Sequence, residues 1–212
     1  MKNNISFFRK PVRYQFYNAT IALIVINFVI FLFRYISPSV LGYLALTPVL
    51  VIKRAFFWQV FTYMFVHGNF THIFLNMLAL FIFGVPLERR LGSTEFLLFY
   101  FTVGLLAGLF TLAVNWYSGM YFIPVVGASG AIYGLLLGYA ALFPDSVLFI
   151  FGILPLKAPI AVLIFAGLEI FYQLTNLQAG VAHLTHLAGI LFAYLYFLIR
   201  YRIDVVKVFF KR

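Results

Sequence analysis

The sequence contains no cysteine and only five acidic residues among its 212 positions. The lack of cysteine excludes disulfide bonds and thiolate chemistry. A His-Glu-x-x-His motif, the usual zinc-peptidase signature, is also missing. Charged residues make up 9% of the chain, against about a quarter in a soluble domain, whereas hydrophobic residues make up 65% and the mean hydropathy is +1.05. This composition predicts a protein embedded in a lipid bilayer.

Six apolar segments predict an all-helical, polytopic membrane protein with six spans. The segments cover residues 19–33, 71–87, 96–116, 128–142, 160–174 and 181–199. The fourth would reach only about 22 Å, against a hydrocarbon thickness of about 30 Å, which predicts a short central helix. Residues 37–69 are apolar but repeatedly broken by proline, glycine and charge, so we expect a large interfacial first loop with short helices. Residues 148–159 are broken in the same way and are also expected at the interface.

We find no repeat or linker, so the chain is predicted to be one core, residues 18–200, between basic segments 1–17 and 201–212. The net charge of +10 does not indicate nucleic-acid binding, because the basic residues cluster at the two ends and in a short loop. Twelve of the fifteen lysines and arginines fall on the face that holds both termini. The positive-inside rule therefore predicts cytoplasmic termini. No signal-peptide cleavage site follows the first apolar run, so a retained first span is expected.

The candidate site begins at the turn Gly127-Ala128-Ser129-Gly130, which opens the fourth span. Ser129 could be only a helix cap. A stripe of glycines, however, continues along this helix and permits close approach of another helix: Gly130, Gly134 and Gly138. Tyr133 lies one turn after Ser129 on the same face.

A matching face is found on the sixth span. His186 lies there among small residues, namely Ala182, Gly189 and Ala193. A lone histidine of this kind could be a satisfied core residue, but two matching faces on helices of the same direction favour a functional pair. The polar residues His72 and Asn76 begin the second span, and with His183 they share the outer depth of Ser129.

These groups suit acyl transfer. His186 would accept the proton of Ser129 as the hydroxyl attacks a carbonyl, and Tyr133 would orient the imidazole by stacking. Backbone N–H groups at Gly127 and Ser129, with the side chains of His72 and Asn76, would stabilise the oxyanion. No acid near the outer ends of the second or fourth span offers a third member.

Two further groups of residues leave alternatives open. The four histidines His67, His72, His183 and His186 could be considered a zinc site, but no cysteine or suitably placed carboxylate joins them. We therefore expect no metal and no cofactor. His183 is interpreted as a supporting donor near the Ser129 and His186 pair. Glu169, the only acid inside a predicted span, is either a structural partner for a polar group or simply near water.

Together these motifs resemble the rhomboid family of intramembrane serine proteases. The resemblance rests on the Gly-x-Ser-Gly turn with Tyr133, on the His-x3-Asn pair, on the element around His186 and Gly189, and on residues 84–92 with Glu88 and Arg90. It covers about residues 18–200. One departure is Trp58-Gln59, where the family often has Trp-Arg, and it bears on packing of the first loop.

The resemblance implies a six-helix rhomboid-like bundle with a Ser129–His186 dyad and an oxyanion hole built from His72, Asn76 and the Ser129 backbone. It also implies cleavage of transmembrane segments in other proteins, here near the outer face of a membrane that we expect to be the bacterial cytoplasmic membrane. The competing hypothesis is a non-proteolytic protein, either a transporter or a scaffold that binds client helices. The sequence does not predict an oligomeric state.

Overall fold

The computed structural model describes residues 10, 12–37, 39–150, 152–175 and 182–210. Several residues used in the sequence analysis lie outside these ranges: the basic residues Lys2, Arg9, Lys211 and Arg212, and Val181, where the sixth span was expected to begin. Within the described residues the chain is mainly helical, with one small β-hairpin.

The helices follow the apolar segments. They are α1 (Ala19–Ile36), α2 (Ser39–Leu44), α3 (Pro48–Arg54), α4 (Gln59–Thr62), α5 (Phe70–Ala79), α6 (Val85–Leu91), α7 (Ser93–Tyr117), α8 (Ser129–Leu142), α9 (Ala158–Thr175), α10 (His183–Tyr196) and α11 (Val205–Phe210). A 3₁₀ turn, Tyr63–Phe65, follows α4, and π-helical segments Leu80–Gly84 and Phe197–Tyr201 continue α5 and α10. The first loop thus holds the short helices α2 to α4.

Five of these stretches are long and apolar enough to cross a bilayer, which supports a multi-pass membrane protein. They are Ala19–Ile36, Phe70–Leu91, Ser93–Tyr117, Ala158–Thr175 and His183–Tyr201. Helix α8 is apolar but shorter, with 14 residues. The count of six spans therefore stays a prediction, because it depends on how α8 sits in the membrane.

Helix α6 extends beyond the second apolar segment as far as Leu91, and α7 begins two residues later at Ser93. Glu88 is buried rather than solvated. Its carboxylate accepts hydrogen bonds from the N–H groups of Ala19, at 2.6 Å, and Thr20, at 2.8 Å, and from the hydroxyl of Ser93. The first N–H groups of a helix have no partner within it, so Glu88 caps α1 from a distant part of the chain.

The prediction of an all-helical chain missed one hairpin. Strands β1 (Val147–Ile150) and β2 (Leu154–Lys157) pair antiparallel, with Val147 opposite Lys157. They occupy the stretch expected to be irregular and interfacial. The two strands satisfy each other's backbone groups in a segment whose Gly152 and Pro155 oppose a helix.

Helix α8 lies at the centre of the molecule, packed against α7, α9 and α10. At Gly189 of α10, an added Cβ would overlap the carbonyl oxygen of Gly130 in α8. At Gly134 an added Cβ would lie 2.6 Å from a methyl carbon of Val103 and 3.3 Å from the Gly189 carbonyl oxygen. The α8 and α10 backbones are therefore in direct contact, which only glycine permits at these positions.

The first loop holds the segment that leads into α8. Leu46 and Val125 exchange two backbone hydrogen bonds, of 3.0 and 2.9 Å, and the N–H of Gly127 donates to the carbonyl oxygen of Tyr63 at 2.9 Å. Val125 and Gly127, close before Ser129, therefore lie against protein, whereas Phe122 and Ile123 earlier in the same loop are exposed.

Candidate functional site

Ser129 and His186 meet where α8 touches α10. The hydroxyl oxygen of Ser129 lies 2.7 Å from Nε2 of His186, within hydrogen-bond distance. His186 is buried, whereas Ser129 is partly exposed. The small-residue faces bring the two helices close enough for an imidazole to reach a hydroxyl across them. This arrangement can transfer a proton between a nucleophile and a base.

Tyr133 holds the imidazole from one side. Its ring is stacked on that of His186 with a centroid separation of 4.5 Å and an angle of 8°. Tyr133 is one helical turn from Ser129, so a single face of α8 presents both the hydroxyl and the ring that covers its partner. The stacked ring restricts rotation of His186 about its side-chain bonds.

Glu169 of α9, interpreted from the sequence as a structural partner for a polar group or a residue near water, also reaches this site. One of its oxygens lies 3.0 Å from Nδ1 of His186, and the other lies 2.6 Å from Nδ1 of His183. The hydroxyl of Tyr133 donates a hydrogen bond to the same carboxylate. A signal was present in the sequence, because this is the only acid within the predicted spans. Sequence spacing alone, however, does not indicate how α9 is rotated toward α8 and α10.

His72 and Asn76 face the turn before Ser129. A Cβ built on Gly127 would lie 2.6 Å from Nε2 of His72 and 3.5 Å from Nδ2 of Asn76. The Asn76 amide nitrogen is buried and has no hydrogen-bond partner among the described residues. A buried donor without an acceptor is costly, so this nitrogen is suited to an acceptor that arrives with a substrate. The side-chain oxygen of Asn69 caps α5 by accepting a hydrogen bond from the N–H of His72 at 2.8 Å. This cap fixes the start of the helix that carries His72 and Asn76.

Gly127 does not fit its expected part as an oxyanion donor. Its N–H is already hydrogen-bonded to the carbonyl oxygen of Tyr63. The residue is needed for a different reason: its φ of 117° disfavours any side chain, and a side chain would collide with His72. The N–H of Ser129, at the first position of α8, has no acceptor within its own helix and remains suited to the task.

His67 lies beside the site but outside the spans. Its ring is buried and meets the ring of His72 edge to face at a centroid distance of 5.0 Å. Burial, with a smaller contribution from neighbouring His72, lowers the pKa of His67 to about 3. His67 is therefore neutral at physiological pH and supports the position of His72 by packing.

Glu169, His183 and His186 are also the one group of described residues whose ligand atoms would suit a metal ion, lying within 4.8 Å of one another. The two histidines already contact the carboxylate directly, so the arrangement is accounted for by hydrogen bonding and charge. The four-histidine zinc site that was considered and set aside from the sequence does not assemble among the described residues, because His67 and His72 form a separate pair beside Gly127.

Comparison with known proteins identifies clear relatives. The family model of the Rhomboid domain matches residues 54–203. The chain is 37% identical over 78 residues to the putative rhomboid protease YdcA of Bacillus subtilis, covering 37% of each chain. It is 36% identical over 88 residues to the rhomboid protease AarA of Providencia stuartii, covering 37% of this chain and 31% of the relative. Rhomboid-like protein 19 of Arabidopsis thaliana is 30% identical over 146 residues, or 66% of this chain and 47% of the relative.

These alignments span less than half the length of each relative. The family model, by contrast, covers most of this chain, and its range contains α4 to α10 with every residue of the candidate site.

Proposed function

This chain belongs to the rhomboid family, and we propose that it is an intramembrane serine endopeptidase that uses Ser129 as nucleophile and His186 as general base. The observation that carries the proposal is the 2.7 Å separation of the Ser129 hydroxyl and His186 Nε2 at the contact between α8 and α10. A base must lie within hydrogen-bond distance of the nucleophile to accept its proton. The glycine contacts between α8 and α10 restrict how far the two helices, and therefore the two side chains, can move apart.

The proposed reaction follows acyl transfer. As Oγ of Ser129 attacks the scissile carbonyl, its proton passes to Nε2 of His186. The developing oxyanion accepts hydrogen bonds from the Ser129 N–H and from the side chains of His72 and Asn76, each worth about 3 kcal/mol of the barrier. The imidazolium then protonates the leaving amine as the C–N bond breaks. Water, deprotonated by His186, then attacks the acyl carbon, and the imidazolium returns the proton to Oγ of Ser129 as the ester bond breaks.

The proposed substrates are transmembrane segments of other proteins, cut near the outer face. The carbonyls of an intact helix are hydrogen-bonded and shielded, so a substrate must unwind before Ser129 can attack. Segments with glycine and other weak helix formers are therefore the preferred substrates. The partial exposure of Ser129 supports access of water to the site. The six-span arrangement, the cytoplasmic termini and a bacterial cytoplasmic membrane remain part of this proposal.

The test is cleavage of a single-span substrate reconstituted with the protein in liposomes. We expect wild-type protein to release two fragments and Ser129→Ala and His186→Ala to release none while remaining folded. Ser118→Ala, at an exposed serine after α7, is the matched control and should cleave normally. Normal cleavage by folded Ser129→Ala would reject Ser129 as the nucleophile. Wild-type protein that binds the substrate without cutting it would instead favour a scaffold that binds client helices.

A further inference from the structure

We propose that Glu169 is a positioning residue that holds His186 and stabilises the imidazolium formed during proton transfer. The inference rests on the proposed protease function and adds a third member to the predicted pair. It follows from the position of the two ring nitrogens. Nε2 of His186 faces the Ser129 hydroxyl, and Nδ1 faces an oxygen of Glu169 at 3.0 Å.

This is the arrangement of nucleophile, base and orienting acid that general-base catalysis uses on unrelated folds. The Nδ1 to carboxylate contact has ion-pair distance but is not aligned as a hydrogen bond, and Nδ1 has no other partner among the described residues. Hydrogen bonds of this kind are often poorly aligned without substrate and tighten when it binds. A small rotation of the ring would align N–H with the oxygen.

The carboxylate is itself fixed from two other helices. The hydroxyl of Tyr133 in α8 donates a hydrogen bond to one carboxylate oxygen of Glu169, and Nδ1 of His183 in α10 lies 2.6 Å from the other. Tyr133 therefore contacts both the ring face of His186 and the carboxylate beside its edge. His183 in turn stacks against Tyr172 of α9 at 5.7 Å and 29°. A carboxylate held at two points, by Tyr133 and His183, can orient the His186 ring more closely than a solvated carboxylate can.

The charge of Glu169 matters in the first chemical step. When Ser129 attacks, its proton moves to Nε2 of His186 and the ring carries protons on both nitrogens with one positive charge. Glu169 remains ionised and offsets that charge through Nδ1–H, without taking the proton. The same proton then leaves from Nε2 to the amine, and the ring returns to its neutral form. Because the site is largely buried, a negative charge at this distance has more effect than it would in water.

A purely structural role for Glu169 makes a different prediction. Its contacts connect α9 to α8 and α10, so a structural residue would affect folding or the substrate affinity rather than the rate of the chemical step. Glutamine keeps the size and one carbonyl acceptor but removes the charge. Glu169→Gln therefore separates the two roles.

The experiment measures kcat and KM for cleavage of the single-span substrate, together with the rate at which a fluorophosphonate acylates Ser129. For Glu169→Gln we expect kcat and the acylation rate to fall about 100-fold, KM to change less than about twofold, and Glu169→Asp to recover part of the loss. Glu95→Gln is the matched control, because Glu95 is another buried carboxylate, ion-paired to Arg200 at 2.6 Å. It should leave kcat within about twofold of wild type.

If Glu169→Gln folds and keeps the wild-type kcat while Ser129→Ala is inactive, the inference about Glu169 is overturned and the proposed protease function still stands. If Glu169→Gln does not fold, His183→Phe decides, since it keeps a ring against Tyr172 and removes one contact that fixes the carboxylate. We expect its kcat to fall about tenfold at constant KM, and an unchanged kcat would overturn the inference. Wild-type protein that neither cleaves nor reacts with the fluorophosphonate would instead reject the proposed function.

Discussion

Tyr133 shows how much one residue contributes at the site. Its position one turn after Ser129 suggested from the sequence that it would stack on the imidazole, and its ring lies against His186. The hydrogen bond to Glu169 was not predicted, because it depends on the rotation of α9. Contacts within one helix can be read from spacing, whereas those between helices depend on packing that a single sequence does not specify.

The two contacts of Tyr133 can be separated by substitution. Tyr133→Phe keeps the stacked ring and removes the hydroxyl that Glu169 accepts, so we expect kcat to fall about tenfold. Tyr133→Leu removes both contacts and should reduce kcat further, by about 100-fold. Cleavage rates with thermal unfolding of each variant provide the measurement. Equal activity of the two variants would contradict the importance of the ring.

A pH effect on stability is expected from His67. Its pKa is about 3 in the folded protein and near 6.5 when unfolded, so between these values the unfolded chain binds a proton that the folded chain does not. Stability is fully present above pH 6.5 and falls by about 1.4 kcal/mol for each pH unit below it. We expect His67→Phe to lose stability less steeply than wild type between pH 6.5 and 4.5 in denaturant titrations. Parallel curves would contradict this account.

At the level of elements, the apolar segments predicted the long helices to within a few residues. The exceptions have a common cause. Helix α6 continues through residues 88–91 because Glu88 is satisfied by N–H groups of α1, and β1 is formed because β2 is its partner. Glu88 contacts α1, which is far away in the sequence, and β2 lies in a stretch with no clear helix or strand pattern. Local sequence patterns therefore do not reveal either stabilising partner.

The contact between α8 and α10 supplies the next prediction. A Cβ at Gly189 overlaps the Gly130 carbonyl oxygen, so Gly189→Ala must push the helices apart. We expect a loss of about 3 kcal/mol in stability and of most activity, since Ser129 and His186 would separate. Gly167→Ala is the matched control: nothing lies within 4 Å of its added Cβ in α9, and alanine favours a helix by up to about 1 kcal/mol. Similar unfolding temperatures for the two variants would contradict the close contact.

On the scale of the whole molecule, composition predicted a multi-pass membrane protein, and five long apolar helices with the Rhomboid domain match support it. Counting spans and charges predicted a common depth for the site residues, and their place near the outer face stays a prediction. His72, Asn76, Ser129, Tyr133 and His186 lie close together around the turn that leads into α8. Spacing could not show that the Gly127 N–H is taken by Tyr63, or that the polar partners of Glu169 include His186, because each contact depends on a residue in another element.

Orientation in the membrane can be tested without background because the chain has no cysteine. Positive-inside logic places the end of α7 outside and α11 in the cytoplasm. In intact cells we therefore expect a membrane-impermeant maleimide to label Ser118→Cys, and to label Lys207→Cys only after permeabilisation. Both original side chains are exposed, so access from solvent is matched. The reverse pattern would place the site on the cytoplasmic side.

The central claim is that Ser129 is a nucleophile activated by His186. Mass spectrometry of the folded protein after reaction with a fluorophosphonate tests it most directly. We predict one adduct, on the peptide that contains Ser129, absent from Ser129→Ala and from His186→Ala. Wild-type protein that stays unlabelled, or that carries its adduct on another serine, would contradict the account.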